Sequence, residues 1–355
     1  MEKLRLGVIG AGSWAVASHL PNLLRYADVI DFVAVNRLGR EQLERIRSHF
    51  GFKIASEDYH DIINAGIDIC IISSPAALHY EHARAALEAG AHILIEKPMT
   101  LDPKHAWDLV EIAKRMNRHA VVSFGWNYKP MVRDAKVLME ADGGIGEIEQ
   151  VMIQMSSSTR ELLSNTGVYP DASAEAVPDT ATWTDPSLSG GGYGQAQLSH
   201  ALGLALWLTG LRGQEVFAFM GAPPSAPVEL YDAISLRFDN GAIGSLAGGS
   251  SYNGADDDKH LLDVRAFGAK GQFHVDLQRE TIYRYRGPGE AVGLPVEPGA
   301  GIYDCVGPID TLVELALGHD VENCSPLELG ARTVEILDAA YRSARSRAIE
   351  TVNPA

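Results

Sequence analysis

The amino-acid sequence predicts two domains: a doubly wound α/β domain over residues 1–123, and an α+β domain with an open, largely antiparallel sheet over residues 124–355. Three observations lead to this fold class. Short apolar runs alternate with helical segments along the first third of the chain. A glycine-rich turn joins the first apolar run to the first helical segment. Beyond residue 148, strand signals follow one another with few helices between them.

The first domain is predicted to contain a parallel sheet with helices on both faces. Its strands are short and almost wholly apolar, which is typical of strands buried on both sides. The predicted strands cover residues 4–9, 32–35, 67–72, 91–95 and 120–124. The predicted helices cover residues 15–26, 40–50, 79–87 and 103–116.

The second domain is predicted to be mostly strands. These cover residues 148–155, 215–220, 230–238, 242–247, 262–267 and 271–275. Asp239-Asn240-Gly241 separates two of the strands and is a hairpin signal. A polar stretch at 156–189 is long for a loop inside a compact domain, which indicates a functional loop or an oligomer arm. A final helix is predicted from Pro326 to about Ser346.

The first turn predicts a dinucleotide site. Gly10 permits a tight turn after the first strand, and Gly12 lets the backbone approach a pyrophosphate. Ala15 is small enough for the helix to pack against the strand. The helix start at Ser13 and Trp14 offers free N–H groups to phosphates. The strand–turn–helix context makes this a Rossmann unit that binds NAD or NADP.

The end of the second predicted strand bears on the choice between these cofactors. NAD sites usually place Asp or Glu about 20 residues beyond the glycine turn, where it binds the ribose 2′-hydroxyl. Here the residue is Asn36, followed by Arg37 and Arg40. This pattern favours NADP because no carboxylate repels a 2′-phosphate. Arg37 equally suits an arginine that stacks on adenine, so NAD stays open.

The amino-acid composition limits which molecules the protein is expected to bind and in which cellular compartment it is expected. The chain carries 30 Lys and Arg against 46 Asp and Glu, a formal net charge of −16, which disfavours nucleic acid and anionic membrane surfaces. No apolar run approaches the roughly 18 residues of a membrane span, and the N-terminus has no signal-peptide pattern. Three scattered cysteines predict neither a disulfide framework nor a metal site. We expect a cytoplasmic protein without a metal.

Five strings further along the chain form a recognisable set. They are Ile71-Ile-Ser-Ser-Pro75 with His79, Gly90-Ala-His-Ile-Leu-Ile-Glu96-Lys97-Pro98, Gly125-Trp-Asn-Tyr128, Gly144-Ile-Gly146, and Gly190-Gly-Gly192 with His200 and Gly210. Together they resemble the Gfo/Idh/MocA oxidoreductase family, the group of glucose–fructose oxidoreductase and inositol dehydrogenase. The resemblance implies a substrate pocket between the two domains and a homodimer or homotetramer. It also adds cofactor-binding residues at the strand ends, namely Ser73, Ser74, Pro75, His79, Glu96 and Lys97.

The resemblance implies two catalytic residues. Lys97 follows a strand's carboxyl end, where open α/β sheets bind ligands, and would reach the substrate hydroxyl. His200 corresponds to the histidine of an Asp-x-x-x-His pattern that moves the hydroxyl proton, work that suits an imidazole at neutral pH. The family's aspartate, however, is replaced by Ala196. Asp179 or Asp185 from the long loop is a candidate replacement.

These residues predict hydride transfer between NAD(P) and a secondary hydroxyl of a sugar, cyclitol or sugar derivative. Arg160, if it points into the pocket, favours an anionic substrate. The alternative is a redox-neutral, NAD-dependent glycosidase that acts through a transient 3-keto sugar, and the altered aspartate position keeps this alternative open. A non-catalytic dinucleotide sensor is a third interpretation. The candidate substrate-binding residues are Trp126, Asn127, Tyr128, Arg160, Trp183, Tyr193, Gln195 and Gln197.

Overall fold

The computed structural model describes residues 2–168, 177–252 and 259–352. The first half of the chain contains a six-stranded parallel sheet in the order β3-β2-β1-β4-β5-β6. The parallel sheet is as predicted, and the sequence indicated five of its six strands. The strands are β1 Leu4–Ile9, β2 Ile30–Asn36, β3 Ile54–Ser56, β4 Ile69–Ile72, β5 His92–Ile95 and β6 Ala120–Val122. The four residues of β4 are all fully buried, because helices cover both faces of this sheet.

The helices of this half agree with the sequence prediction within a few residues. A π-wound segment, Ala15–His19, continues into α1 Leu20–Leu24. The others are α2 Arg40–Phe50, α3 Tyr59–Asn64, α4 His79–Glu88 and α5 Pro103–Met116. The strand β3 and the helix α3 were not foreseen, because both are short and only partly apolar.

The second sheet has nine strands in the order β14-β13-β12-β11-β7-β10-β9-β8-β15. All neighbours are antiparallel except β7 and β10, which are parallel. The strands are β7 Ile148–Ser157, β8 Gly213–Gly221, β9 Tyr231–Phe238, β10 Ile243–Ser250, β11 Leu261–Gly268, β12 Gly271–Asp276, β13 Thr281–Tyr285, β14 Ala291–Leu294 and β15 Glu350–Thr351. The six predicted strands and the hairpin at Gly241 are confirmed; the last three strands were not foreseen.

Helices cover one face of the second sheet. Along β9 the even-numbered residues are buried and the odd-numbered ones are exposed, so only one side faces the helices. The π-wound segment Gly194–Leu198 continues into α10 Ser199–Thr209, which packs on this side together with α12. We call the uncovered side, which includes Tyr231, the open face. The remaining helices are α6 Pro130–Glu140, α7 Arg160–Leu163, α8 Ala181–Thr184, α9 Pro186–Ser189, α11 Val306–Ala316 and α12 Leu327–Ser346.

The end of the chain returns to the first sheet. The helix α11 contacts β5 and β6, and its Ile309, Leu312 and Val313 are buried in the core that surrounds the first sheet. The sequence division at residue 123 assigns this helix to the second domain, although its packing joins it to the first. Of the polar stretch at 156–189, residues 169–176 lie outside the described residues. No helix among the described residues is long and apolar enough to cross a bilayer.

Candidate active site

The glycine turn has the geometry that a dinucleotide requires. Gly10 has a φ of +81°, and a Cβ there would lie 2.3 Å from the backbone nitrogen of Ser74. At Gly12 a Cβ would meet only the Gly10 carbonyl oxygen, at 3.9 Å, so the space in front of this backbone is open. Ala15 is fully buried against the strand. The turn also lies where strand order reverses between β1 and β4, the position at which such sheets bind ligands. The residues present therefore fit a dinucleotide.

The side chain of Asn36 is already engaged at the end of β2. Its Nδ2 donates to the Ser56 carbonyl at 3.0 Å, and its Oδ1 accepts from the Gly10 N–H at 3.3 Å. Arg37 is half-buried, which lowers its pKa, and its Nε donates to the Leu38 carbonyl at 3.1 Å. Glu57 accepts from the Gly39 N–H at 2.7 Å. The end of β2, where the adenosine ribose of a dinucleotide would lie, thus has the neutral amide of Asn36, the Arg37 guanidinium and the hydrogen-bonded carboxylate of Glu57.

The loops after β4 and β5 are held together by His79. Its Nδ1 lies 2.9 Å from the Pro98 carbonyl, and its Nε2 lies 2.7 Å from the Ser74 carbonyl. The ring is almost completely buried, and burial lowers its pKa. The sequence grouped His79 with Ser73, Ser74 and Pro75 as cofactor-binding residues. The structure places it beneath that loop, where it supports the backbone.

Glu96 is also a supporting residue. Its Oε1 lies 2.7 Å from Nε2 of His19, and its Oε2 accepts from the Lys97 N–H at 3.0 Å. Burial raises the pKa of Glu96, but His19, the Lys97 charge and Ser123 outweigh it and lower the value to about 2. The anionic Glu96 therefore fixes the backbone at Lys97, whose peptide bond to Pro98 is cis.

Lys97 bridges the two halves of the protein. Its Nζ donates to the carbonyl oxygen of Ala196 at 2.8 Å and lies 5.8 Å from the ring centroid of Trp183. Burial lowers the pKa of Lys97, with partial compensation from Glu96. The Ala196 carbonyl belongs to the π-wound segment, a winding that departs from the regular i→i−4 ladder. Where the sequence lacks the expected aspartate, a backbone oxygen contacts the lysine instead.

His200 lies in an aromatic cage close to Lys97. The rings of Trp126 and Tyr303 have centroids 5.1 and 5.2 Å from its own. The side chain is 4 % exposed, and its Nδ1 has no hydrogen-bond partner among the described residues. Burial, Lys97 and His260 hold the pKa of His200 well below its ordinary value. The imidazole is therefore neutral at physiological pH.

The two carboxylates suggested as replacements for the missing aspartate do not reach this cage. Asp185 is the N-cap of α9 and accepts from the Ser187 N–H at 2.9 Å. Asp179 accepts from the Ala181 N–H at 3.0 Å and is exposed. Short polar side chains favour such helix starts, which explains their positions.

Some predicted substrate residues are brought together and others are not. Trp126 and Trp183 lie near His200 and Lys97, and Gln195 and Gln197 flank the Ala196 carbonyl. Gln195 Oε1 is buried without a partner among the described residues. Trp126 thus borders His200 and Trp183 borders Lys97, while the two glutamines are the chain neighbours of Ala196.

The other predicted substrate residues have structural roles. Asn127 is fully buried and donates to the Cys324 carbonyl at 3.0 Å, and Tyr128 hydrogen-bonds Ser325 Oγ at 2.7 Å. Tyr193 is fully buried and donates to the Met155 carbonyl at 3.2 Å. Arg160 donates to the Tyr231 hydroxyl, on the open face, so the expectation that it points into the pocket is wrong.

Tyr303 is a site residue that the sequence did not reveal. It comes from the connection between β14 and α11, far along the chain. Its ring stacks on Trp14 of the glycine turn, with centroids 5.9 Å apart, and lies 4.3 Å from Trp126. Its hydroxyl lies 3.1 Å from Cys305 Sγ. A tyrosine in a loop has no sequence signature, so no motif identifies it. His260, beside Trp126 at 5.4 Å, was missed for the same reason.

Comparison with known proteins shows the family to which the chain belongs. Residues 4–124 match the description "Oxidoreductase family, NAD-binding Rossmann fold", and residues 132–274 match the C-terminal domain of the same Gfo/Idh/MocA group. The chain belongs to the Gfo/Idh/MocA oxidoreductase family. The expected family, the Rossmann fold and the second sheet are thereby confirmed.

The chain is similar in sequence and structure to several proteins whose names indicate an activity. The chain is 26 % identical to levoglucosan dehydrogenase of Pseudarthrobacter phenanthrenivorans, over 79 % of this chain and 75 % of that protein. It is 27 % identical to D-glucoside 3-dehydrogenase of Escherichia coli, over 92 % and 86 %. The match to the oxidoreductase YfiI of Bacillus subtilis spans 58 % of that protein. The structure of a levoglucosan dehydrogenase in complex with NADH and levoglucosan superimposes over 99 % of this chain with a TM-score of 0.77, at 21 % identity.

One relative has a glycosidase name. A glycosyl hydrolase family 109 protein of Streptomyces coelicolor is 34 % identical over 108 residues, which is 30 % of this chain and 22 % of that protein. The two relatives named as dehydrogenases align over most of this chain. The comparisons therefore favour an oxidoreductase.

Proposed function

We propose that this protein is an NAD(P)-dependent dehydrogenase that transfers a hydride to or from a secondary hydroxyl of a sugar, cyclitol or sugar derivative. The observation that carries the proposal is the buried Lys97, whose Nζ donates to the Ala196 carbonyl at 2.8 Å and whose charge acts on the neighbouring His200. The relatives named as levoglucosan and D-glucoside dehydrogenases act on this class of compound.

In this mechanism Lys97 binds the reacting oxygen. Its ammonium polarises a carbonyl, or stabilises the alkoxide that forms as a hydroxyl loses its proton. The unpartnered Nδ1 of the neutral His200 accepts that proton in oxidation and returns it in reduction. When bound, the nicotinamide supplies the hydride chemistry.

Buried polar atoms without partners account for substrate binding. Trp126 Nε1 and Gln195 Oε1 have no hydrogen-bond partner among the described residues, and each is buried. Unpaired buried groups cost free energy, which a polyhydroxylated ligand recovers by pairing with them. The indole faces of Trp126 and Trp183 also suit the apolar face of a sugar ring.

For the cofactor, we propose a preference for NADP over NAD. Asn36 carries no charge, Arg37 directly follows β2, and Arg40 is the first residue of α2. A guanidinium binds a 2′-phosphate well. The carboxylate of Glu57, which accepts a hydrogen bond from the Gly39 N–H, opposes this preference because it would repel a 2′-phosphate. Arg37→Ala and Arg40→Ala should raise the KM for NADP at least tenfold and that for NAD much less.

The proposal also covers the oligomeric state of the protein and its cellular compartment. Large side chains such as Phe219, Tyr231 and Ile243 are exposed on the second sheet, which suits a homodimer or homotetramer. The three cysteines are unpaired and buried, as expected for a cytoplasmic protein. Sedimentation analysis would measure the oligomeric state directly.

The deciding experiment incubates the purified protein with a panel of free sugars, cyclitols and aryl glycosides, with NAD or NADP. Formation of reduced cofactor and release of the aglycone are followed together. Reduced cofactor that accumulates with oxidised sugar supports the proposal. Aglycone release without net cofactor reduction would instead establish the redox-neutral glycosidase. In both cases Lys97→Met should abolish the reaction, whereas the exposed Lys104→Met serves as a control.

A further inference from the structure

A carboxylate from another part of the chain caps the helix that carries His200. Glu229, in the connection before β9, accepts hydrogen bonds from the Gly192 N–H at 2.7 Å and the Gly194 N–H at 3.2 Å. The hydroxyl of Tyr341, on α12, also donates to Glu229 and accepts from the Gln195 N–H at 3.2 Å. The free amides at the start of this helix are therefore satisfied by Glu229 and Tyr341. An anion at this end also interacts favourably with the helix dipole.

The glycines in this segment are required by the close approach of the cap. A Cβ at Gly191 would lie 2.2 Å from Tyr341 Oη, and one at Gly194 would lie 2.8 Å from it. A Cβ at Gly192 would lie 2.2 Å from the carbonyl oxygen of Glu229. The sequence Gly190-Gly-Gly192, first noted as a family string, thus provides the space in which Glu229 and Tyr341 reach the backbone.

A second acid lies behind the cap. Asp232, on β9, is 4 % exposed, and neither of its carboxylate oxygens has a hydrogen-bond partner among the described residues. Burial and the Glu229 charge raise the pKa of Asp232 to about 8. The titratable groups that face it are Glu229 and Tyr341, and its strand neighbours Met220 and Gly248 are uncharged. Burial also raises the pKa of Glu229, although the hydrogen bonds from Tyr341, Gly192 and Gly194 oppose this rise. Because Glu229 accepts these hydrogen bonds and Asp232 accepts none among the described residues, the negative charge of the pair is better accommodated on Glu229.

We propose that Glu229, Tyr341 and the buried Asp232 form a positioning unit that places the Ala196 carbonyl and His200 against Lys97. The proposal rests on the dehydrogenase function given above. None of the three residues is a catalytic residue. Glu229 and Tyr341 act through the π-wound segment, whose first amides they bind and whose third residue accepts from Lys97. Asp232 lies behind them and binds no amide of this segment. Misplacement of a catalytic group by about 1 Å costs about 10²-fold in rate, so such a unit matters for turnover.

The activity test compares three variants of the full chain. Glu229→Ala leaves the amides of Gly192 and Gly194 without an acceptor and should lower kcat by about 10–100-fold, with little change in cofactor affinity. Glu229→Gln keeps an acceptor oxygen and should recover much of this loss. Tyr341→Phe removes one hydroxyl, and its kcat should lie between those of Glu229→Ala and Glu229→Gln. Glu149→Gln, an exposed acid on β7, is the control and should match the wild type. Full kcat in Glu229→Ala would overturn the proposal.

A second readout needs no substrate and separates this proposal from the function. The folded state keeps a proton on Asp232 up to about pH 8, whereas the unfolded chain loses it near pH 3.8. The contribution of Asp232 to the free energy of unfolding therefore falls as pH rises from about 4 to 8 and then levels off. Asp232→Asn removes this dependence, so its Tm advantage over the wild type should grow from pH 5 to pH 8. A constant Tm difference would refute the buried acid pair, even if no sugar were oxidised.

Discussion

Two glycines of the first turn should respond differently to the same substitution. In Gly10→Ala the methyl group would lie 2.3 Å from the Ser74 backbone nitrogen, in a residue with φ of +81°. The left-handed conformation costs about 1–2 kcal/mol, and the overlap with a backbone adds about 1–3 kcal/mol. We expect the free energy of unfolding to fall by about 2–5 kcal/mol, and the Tm by roughly 5–15 °C.

Gly12→Ala should instead leave stability almost unchanged. Its methyl group meets only the Gly10 carbonyl oxygen, at 3.9 Å, and no positive φ applies. A glycine-to-alanine change at such a position alters stability by less than about 1 kcal/mol. The methyl group would, however, fill the space through which a pyrophosphate approaches the backbone. We therefore expect the Kd of the dinucleotide to rise at least about tenfold, which corresponds to about 1.4 kcal/mol.

The assay measures both quantities on the same samples. Thermal melting without ligand gives the stability of each variant. Titration with reduced cofactor, followed by the fluorescence of Trp14 at this turn, gives the Kd. Gly51→Ala, at a helix end with a φ of +77° and nothing within 4 Å, is the control for conformational strain alone. Unchanged cofactor affinity in a stable Gly12→Ala variant would refute the assignment of this turn to the dinucleotide.

Three further predictions concern the catalytic pair and its support. Lys97→Met should lower kcat by about 10²–10⁴-fold while the cofactor still binds, as measured by steady-state kinetics and fluorescence titration. The pKa of His200 is held well below 6.5, so the folded state resists protonation of this imidazole while the unfolded chain does not. His200 therefore lowers the free energy of unfolding as pH drops below 6.5. The variant His200→Asn should lose less Tm than the wild type over this acidic range. Glu96→Gln should lower the free energy of unfolding at pH 7 by about 3–5 kcal/mol in urea titrations, because it breaks a buried pair with His19. This difference should shrink as pH falls below about 4.5 towards 2, where Glu96 itself becomes protonated. A difference that stays constant down to pH 2 would argue against an ionised Glu96.

Local patterns in the sequence were enough for the fold class. Helices α2 and α5 were predicted with the bounds that the structure has, because their apolar spacing and their proline or glycine ends act within a few residues. Five of the six strands of the first sheet were recognisable as mostly apolar runs. Short elements such as β3, and edge strands such as β14, carry too few apolar residues to be recognised without their neighbours in the sheet.

The sequence by itself determined the glycine turn and the position of Lys97 at a strand end, because each depends on chain-local signals. The pairing of Lys97 with His200 was expected only from the family resemblance, since the two residues lie far apart in the chain. Only the tertiary structure decided what stands in for the missing aspartate, because a backbone carbonyl at Ala196 has no side-chain signature. The same holds for Tyr303 and for the Glu229 cap, which reach the site across long sequence separations. Such contacts arise from packing between distant segments, and packing is a property of the folded chain.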